Sequence, residues 1–247
     1  MNNRYWDKLG DQYSDEIINV HESDERGLLG SAIRKHLKRN QLAADFGCGI
    51  GWGISPLAER AKRVYGIDAS GKLLAQARRR FSDQPNVEFV QADLCKAPPG
   101  VPPVQLGLCV NVLLTPNHEQ RAAMLGSMAR MIGRGGVLLL VTPSLESQMW
   151  VHACMVSQAR AEGPEELKRA KRVIKKEAHS LAEGLINLEG SLTKYHLGPE
   201  LESLLRQEGL ETLSLQKIEY DWEAEAIAGM PAEAPRPWHW FVTAKRI

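Results

Sequence analysis

Long apolar runs, paired cysteines and a surplus of either charge are all missing from this sequence of 247 residues. No apolar run approaches the roughly 18 residues that a membrane span needs, and the N-terminal residues lack the apolar core of a signal peptide. The four cysteines show no CxxC or disulfide-rich spacing, which favours reduced thiols in a cytoplasmic protein. The net charge of +1 gives no global reason to expect a nucleic-acid or membrane partner.

The composition that is present is that of an ordinary globular protein. Hydrophobic residues make up 43% of the chain and charged residues 25%, which excludes a disordered chain. At roughly 150 residues per domain the length allows one or two domains, and α/β folds of this length are often single. We therefore expect residues 1–247 to form one domain.

Short apolar runs alternate with helical patterns through the first half of the chain, which predicts βαβ units and a parallel sheet. The predicted strands lie at residues 42–46, 63–68, 87–93, 104–110 and 137–141. An amphipathic helix over 21–39 precedes them. Residues 145–190 read as helix, 199–209 as a further helix, and 211–220 and 238–244 as two final strands. The sequence thus predicts an α/β fold.

A cluster of glycines follows the first predicted strand and is flanked by acidic residues. It begins at Gly47, two residues after Asp45, and ends at Gly53. Glycines there let the backbone approach a ligand and turn into a helix. Asp68 ends the next strand, about 20 residues on, where an acid can accept both ribose hydroxyls of a nucleoside. A third strand leads to Asp93, so three acids converge on one crevice.

Two common nucleotide motifs do not fit this loop. The dinucleotide fingerprint G-x-G-x-x-G/A would require a small residue at Trp52 or at Ile54. A P-loop would require Gly-Lys-Ser/Thr after the glycines, and none is present. A nicotinamide oxidoreductase is therefore the weakest of the alternatives.

The arrangement acid-x-Gly-x-Gly-x-Gly, with acids ending strands two and three, resembles the class I S-adenosylmethionine-dependent methyltransferases over about residues 5–142. The resemblance implies a Rossmann-like seven-stranded sheet of order 3-2-1-4-5-7-6 with the last strand antiparallel and helices on both faces. It implies S-adenosyl-L-methionine as cofactor. No acidic cluster in the sequence suggests a divalent metal, so we expect none. The residues expected to bind this cofactor are Tyr13, Asp45, Gly47, Cys48, Gly49, Gly51, Asp68, Ala69, Asp93, Leu94 and Asn111.

The resemblance also divides the chain into parts. We expect covering helices at 1–39, where Tyr5-Trp6-Asp7 and Tyr13 match the helix that many members fold over the cofactor. The cofactor-binding core is expected at 40–144, a helical substrate-covering insert at 145–197 and a C-terminal helix with strands at 198–247. We expect a small-molecule acceptor near Trp150, His152 and Tyr195, because aromatic side chains form apolar pocket walls. His118 and His196 are the candidate general bases.

The acceptor is left open by the sequence. Methyl transfer to an oxygen or a nitrogen of a small molecule is the leading hypothesis. Residues 168–176 carry six basic side chains, so an RNA or protein methyltransferase docking through this helix is one alternative. A SAM-binding regulatory protein without transfer activity is another.

Overall fold

The computed structural model describes residues 19–96, 100–188, 190–225, 230 and 233–247. Its helices are α1 (Val20–Ser23), α2 (Leu28–His36), α3 (Ile54–Ala58), α4 (Gly71–Arg80), α5 (His118–Met131), α6 (Leu145–Glu162), α7 (Pro164–Glu177) and α8 (Gly198–Gln207). Its strands are β1 (Leu42–Phe46), β2 (Arg63–Asp68), β3 (Val87–Gln91), β4 (Val104–Val110), β5 (Ile132–Pro143), β6 (Ala178–Ser180), β7 (Leu185–Leu188), β8 (Ser191–Lys194), β9 (Leu210–Glu219) and β10 (Trp238–Arg246). Single 3-10 turns lie at Leu181–Glu183 and Trp222–Glu225.

Seven of these strands form one sheet in the order β3-β2-β1-β4-β5-β10-β9. Strands β1 to β5 pair in parallel, and β10 is antiparallel to both of its neighbours. Because β9 and β10 stand in the places of strands six and seven, the predicted order and the antiparallel last strand are confirmed. The fold class is a Rossmann-like α/β sheet.

The central strands are buried on both faces, as their continuous apolar sequence predicts. The side chains from Leu138 to Val141 are each at most 1% exposed. Leu139 joins a core cluster with Ile33 of α2 on one face, and Leu140 joins a second cluster with Leu205 of α8 on the other. Successive side chains of a strand point to opposite faces, so one apolar run supplies both cores.

The predicted helix over 21–39 is two helices with a turn between them. Gly27 has φ +62°, a conformation that favours glycine and interrupts a helix. The carboxylate of Asp24 then accepts hydrogen bonds from the backbone N–H groups of Leu28 and Leu29, at 2.9 and 2.8 Å, and so caps the start of α2.

The insert after β5 is helical only in its first part, which corrects the prediction of helix through residue 190. Helices α6 and α7 occupy the predicted place, but β6, β7 and β8 then form a small antiparallel sheet. Gly184 and Gly190 bound β7 and have φ +64° and +92°. These turns reverse the chain, and Ile186, which is 0% exposed, anchors the small sheet.

One edge of the large sheet gathers the ends of most strands. The carboxyl ends of β1 to β5 lie there because these strands are parallel. The end of β9 and the start of β10 lie at the same edge, since β10 runs antiparallel between β5 and β9. We call this the carboxyl edge. Among the described residues, no helix is long and apolar enough to cross a membrane.

Candidate functional site

The glycine loop between β1 and α3 has no room for a side chain at Gly47 or at Gly51. Gly47, Gly49 and Gly51 have φ +69°, +53° and +90°. A Cβ on Gly47 would collide with the side chain of Val112, and one on Gly51 would lie 2.6 Å from a ring carbon of Phe81. Since only glycine fits both the conformation and the space, the loop presents bare backbone at the carboxyl edge.

Gly53, the last glycine of the cluster, belongs to this loop for a different reason. A Cβ there would lie 2.7 Å from Oδ2 of Asp45. Asp45 ends β1 and is only 4% exposed. Its buried carboxyl packs against the start of α3, and the eight-residue spacing from acid to glycine was the signal present in the sequence.

Asp45 is held in an environment that disfavours its charge. The pKa of Asp45 is raised to about 7, mainly because the carboxyl is buried and further because the negative charge of Asp68 acts on it. The carboxyl is thus poised between its neutral and charged forms. A cationic group bound beside it would favour the charged form.

The two carboxylate oxygens of Asp68 are oriented by backbone. Oδ2 accepts from the N–H of Gly49 at 2.9 Å, and Oδ1 accepts from the N–H of Ser70 at 2.8 Å. The hydroxyl of Ser70 in turn caps α4 by accepting from Leu73 N–H at 3.2 Å. A carboxylate has about four acceptor sites, so this geometry is compatible with ribose hydroxyls donating to the same group. Ala69 lies between Asp68 and this cap.

Asp93 and Leu94 follow β3 at the same edge. Oδ1 of Asp93 accepts from Cys95 N–H at 2.9 Å, which fixes the turn after the strand. Leu94 is 6% exposed and joins the core cluster that contains Ile67 and Leu113. The turn therefore sets a backbone segment beside the end of β2.

Asn111 lies directly after β4 in an unusual conformation. Its φ is +54°, and no other non-glycine residue in the described part of the chain has a positive φ. Its N–H donates to the carbonyl of Val141 at 2.9 Å, while its side-chain Oδ1 is buried with no hydrogen-bond partner. Strained conformations and unpaired buried acceptors cluster at binding sites. The bare glycine loop, the oriented Asp68 and this unpaired acceptor together fit a nucleoside cofactor that carries an amino-acid group.

Replacing Asp45 by asparagine is expected to remove a pH dependence of stability. Because the folded pKa of about 7 lies above the ordinary 3.8, the stability that Asp45 contributes is full below pH 4 and is lost as the pH rises through 7. The Asp45→Asn variant is expected to be more stable than the parent at pH 8, by up to about 4 kcal/mol. This advantage is expected to vanish near pH 4 when denaturant unfolding is followed across the range. A difference that stays constant with pH would contradict the environment described for Asp45.

Replacing Asn111 by glycine tests the unpaired amide separately from the backbone. Glycine adopts φ +54° without strain, so we expect the free energy of unfolding to change by less than about 1 kcal/mol. Loss of one hydrogen bond of about 1 kcal/mol is expected to weaken binding of S-adenosylhomocysteine about fivefold in a calorimetric titration. The Asn111→Ala variant, which keeps the strain, is the control. If the glycine variant bound as tightly as the parent, the amide would have no role in the site.

The two candidate bases lie in very different surroundings. His118 is the first residue of α5 and is exposed. His196 is 0% exposed, and its Nδ1 lies 2.9 Å from Oγ1 of Thr142 near the end of β5, while its Nε2 has no partner. Burial lowers the pKa of His196 well below its usual value, with the charges of Lys194 and Arg121 acting in the same direction. His196 is therefore neutral, and its role as a base stays a prediction.

The three residues expected to contact the methyl acceptor belong to the insert, beside the end of β5. Trp150 donates from Nε1 to the carbonyl of Pro235 at 2.8 Å. Nε2 of His152 lies 3.0 Å from a carboxylate oxygen of Glu177. Tyr195 precedes His196, whose carbonyl accepts from Leu145 N–H at 3.0 Å and so ties the insert to α6. These residues share one region of the carboxyl edge, and their contact with an acceptor stays a prediction.

The covering segment expected at the N-terminus cannot be placed in the same way. Tyr13 and the Tyr5-Trp6-Asp7 stretch lie outside the described residues.

Cys48, within the glycine loop, is buried, and burial together with the charges of Asp45 and Asp68 raises the pKa of its thiol. Cys48 thus fills space between glycines as an unreactive thiol.

The fold is a Rossmann-like α/β sheet, and the geometry of the site at its carboxyl edge is compatible with a nucleoside cofactor. Residues 43–136 match the sequence profile of a family described as a methyltransferase domain. A probable S-adenosylmethionine-dependent methyltransferase of Mycolicibacterium smegmatis is 30% identical over 98 residues, which is 40% of this chain and 36% of that protein. The chain thus spans little more than a third of the length of this curated relative.

Of three further comparisons, the two with solved structures extend the likeness to the whole fold. The magnesium-protoporphyrin O-methyltransferase of Synechocystis is 29% identical over 116 residues, 42% of this chain and 46% of that protein. A solved magnesium protoporphyrin IX methyltransferase from Synechocystis PCC 6803, with bound S-adenosylhomocysteine, superimposes with a TM-score of 0.63 at 17% identity, covering 99% of this chain and 98% of the other. A solved complex named DhpI-SAM-HEP superimposes with a TM-score of 0.65 at 17% sequence identity, covering 98% of this chain and 94% of the other.

These findings confirm the resemblance found in the sequence. Residues 43–136 are the core of a class I S-adenosylmethionine-dependent methyltransferase domain. The class is enzymatic, and its cofactor is S-adenosyl-L-methionine.

Proposed function

We propose that this protein transfers the methyl group of S-adenosylmethionine to an oxygen or nitrogen of a small-molecule acceptor. The observation that carries the proposal is the arrangement of Asp45, the glycine loop and Asp68, whose carboxylate is oriented by Gly49 at the carboxyl edge. Asp68 and Ala69 would hold the ribose, Asp93 and Leu94 the adenine, and the loop with Asn111 the amino-acid part. The bound cofactor would supply an electrophilic methyl group, whose bond to sulfur breaks as the acceptor atom attacks.

The role proposed for the chain's own residues is alignment and exclusion of water. The insert places Trp150, His152 and Tyr195 beside the end of β5, next to Asn111 at the end of β4. Aromatic side chains beside the site suit a small apolar molecule more than a polymer. For a hydroxyl acceptor the proton needs a base, and the neutral His196, with its Nε2 unpartnered, is the buried candidate.

The second candidate function is transfer to RNA or protein through the basic face of α7. The side chains of Lys171, Lys175 and Lys176 on this helix are exposed. Two other basic residues pair with acids one turn earlier, Lys168 with Glu165 and Arg169 with Glu166. Such pairing is typical of a solvated helix face, and for that reason we rank this function second.

The test is transfer of a labelled methyl group from S-adenosylmethionine to three classes of acceptor. The acceptors are a panel of small phenols and amines, total RNA and a protein extract. We expect label on small molecules only, and no effect of the Lys171→Glu and Lys175→Glu variants. Label on RNA that falls steeply with salt would favour the second candidate. Tight cofactor binding with no transfer to any class would favour a regulatory protein.

The location proposed for the protein is the cytoplasm. Cys48, Cys95, Cys109 and Cys154 are all free thiols, and disulfides are rare in that compartment. Division of the chain into covering helices (1–39), core (40–144), insert (145–197) and C-terminal part (198–247) is also part of the proposal.

A further inference from the structure

Buried polar atoms without partners lie along the carboxyl edge, and those other than Asn111 Oδ1 lie outside the part that the cofactor would use. Among the described residues these side-chain atoms are Asn111 Oδ1, His196 Nε2, Trp222 Nε1, Trp238 Nε1, both ring nitrogens of His239, and Thr212 Oγ1 near the start of β9. Apart from Thr212, these residues lie at the carboxyl edge. Asn111 follows β4, Trp222 follows β9, and Trp238 and His239 begin β10, while His196 pairs with Ser144 just after β5. Native proteins seldom leave such atoms unpaired, so each of them is a position where a ligand or an ordered water can bind.

His239 is the most informative of these residues. It is 6% exposed and lies on β10 opposite Pro143 of β5 and Ile218 of β9. Its ring packs on Tyr220, with centroids 5.0 Å apart. Burial lowers the pKa of His239 to about 4, so the ring is neutral and offers one donor and one acceptor, neither of them paired.

An acidic group is connected to this histidine through Tyr220. The hydroxyl of Tyr220 donates to Oε1 of Glu225 at 2.6 Å. Burial raises the pKa of Glu225, and the charge of Glu177 raises it further. The hydroxyl of Tyr195 is affected by both carboxylates. We call these five residues, Tyr195, Tyr220, Glu225, Glu177 and His239, the carboxylate cluster.

The two carboxyl groups of the carboxylate cluster share one imidazole, that of His152, and within the described residues no lysine or arginine forms an ion pair with Glu225 or Glu177. The charges that act on Glu225 are those of Glu177 and, with opposite sign, His152. His152 is itself engaged, with Glu177 at 3.0 Å and with Gln148 at 3.1 Å. A carboxylate withdrawn from water is costly unless a cation pairs with it. The group that would complete this arrangement is a positively charged hydrogen-bond donor.

The surroundings of the cluster are aromatic. Trp222, one turn before Glu225, is 9% exposed and its ring lies 6.5 Å from that of Trp150. Aromatic faces attract cations and pack against apolar groups, so these residues suit an amine carried on an apolar body.

The position of the cluster separates it from the expected site of methyl transfer. His239 is on β10, two strands from β4, and neighbouring strands lie about 4.8 Å apart. The cluster is therefore about 10 Å along the edge from Asn111. A ligand that reaches both places needs its amine several bonds away from the atom that is methylated.

From this placement we propose that the carboxylate cluster binds a protonated amino group of the methyl acceptor, as an anchor remote from the atom that receives the methyl group. This inference rests on the proposed function and names the acceptor class: an amine with an apolar, commonly aromatic, body. Carboxylate and phosphate acceptors are expected to be excluded by repulsion from Glu225 and Glu177.

The test uses three probes with one skeleton and different charges. These are tyramine, the neutral alcohol tyrosol and the anion 4-hydroxyphenylacetate, each titrated into the full chain saturated with S-adenosylhomocysteine. We expect tyramine to bind at least tenfold more tightly than either of the others. The Glu225→Gln variant is expected to lose at least tenfold in tyramine affinity, to bind tyrosol unchanged and to bind S-adenosylhomocysteine within twofold of the parent.

Two controls keep the outcome clear. Glu223→Gln changes an exposed acid of the same 3-10 turn and is expected to have no effect, whereas Glu177→Gln should reproduce the effect of Glu225→Gln from a different element. Any of three outcomes would overturn the inference. They are equal binding of the three probes, no binding of tyramine at millimolar concentration, and unchanged tyramine affinity in both Glu225→Gln and Glu177→Gln. Failure to bind S-adenosylhomocysteine would instead overturn the proposed function, and the same titrations report it.

Discussion

Replacing Asp68 by alanine is expected to weaken binding of S-adenosylmethionine by two to four orders of magnitude. Hydrogen bonds to a charged group contribute about 1.5–3 kcal/mol each, and two ribose hydroxyls would donate to this carboxylate. Each 1.4 kcal/mol corresponds to about a tenfold change in affinity. The same substitution removes the acceptor that holds the N–H of Gly49 at 2.9 Å, so the glycine loop also loses a constraint.

The matched control for this prediction is Asp83→Ala, which removes an exposed acid from the turn before β3. We expect that variant to bind the cofactor like the parent. Both proteins should be compared by calorimetric titration and by thermal unfolding, so that loss of fold is distinguished from loss of binding. Unchanged affinity in a folded Asp68→Ala protein would remove the assignment of the ribose site.

Replacing Gly47 by alanine is expected to be the most destabilising change in the glycine loop. At φ +69° a side chain costs about 1–2 kcal/mol in strain. The new Cβ would also collide with Val112, and overpacking of this kind costs about 1–3 kcal/mol. We expect the free energy of unfolding to fall by about 2–5 kcal/mol and cofactor binding to be lost with the loop's shape.

Two further variants separate strain from collision. Gly135 has φ +76° with open space around its Cβ position, so Gly135→Ala reports the strain alone. The double variant Gly47→Ala with Val112→Ala removes the collision and should recover about 1–3 kcal/mol relative to additivity. A Gly47→Ala protein no less stable than Gly135→Ala would show that the loop is not closely packed.

The sheet and the cofactor half of the site were open to prediction because their signals are local. Each strand is a short apolar run, and Gly47, Asp68 and Asp93 lie within two residues of the ends of their strands. Parallel strands bring such positions to one edge without further information. The order of the strands came from the family resemblance, and the register in the structure confirms it.

The carboxylate cluster could not be predicted from local patterns, since its members come from separate elements. Tyr220 and His239 meet only because β9 and β10 pair antiparallel, and Glu177 arrives from the insert. Asn111 was placed correctly after β4, but its positive φ depends on the bond to Val141 of the next strand. The small sheet of the insert was missed because its strands have three or four residues each. At that length alternation cannot be distinguished from a helical pattern.

The central claim is that the glycine loop and Asp68 bind S-adenosylmethionine. Calorimetric titration of the full chain with S-adenosylmethionine, S-adenosylhomocysteine and NAD tests it most directly. The account predicts micromolar binding of the first two and no binding of NAD. Binding of NAD, or of none of the three, would contradict it.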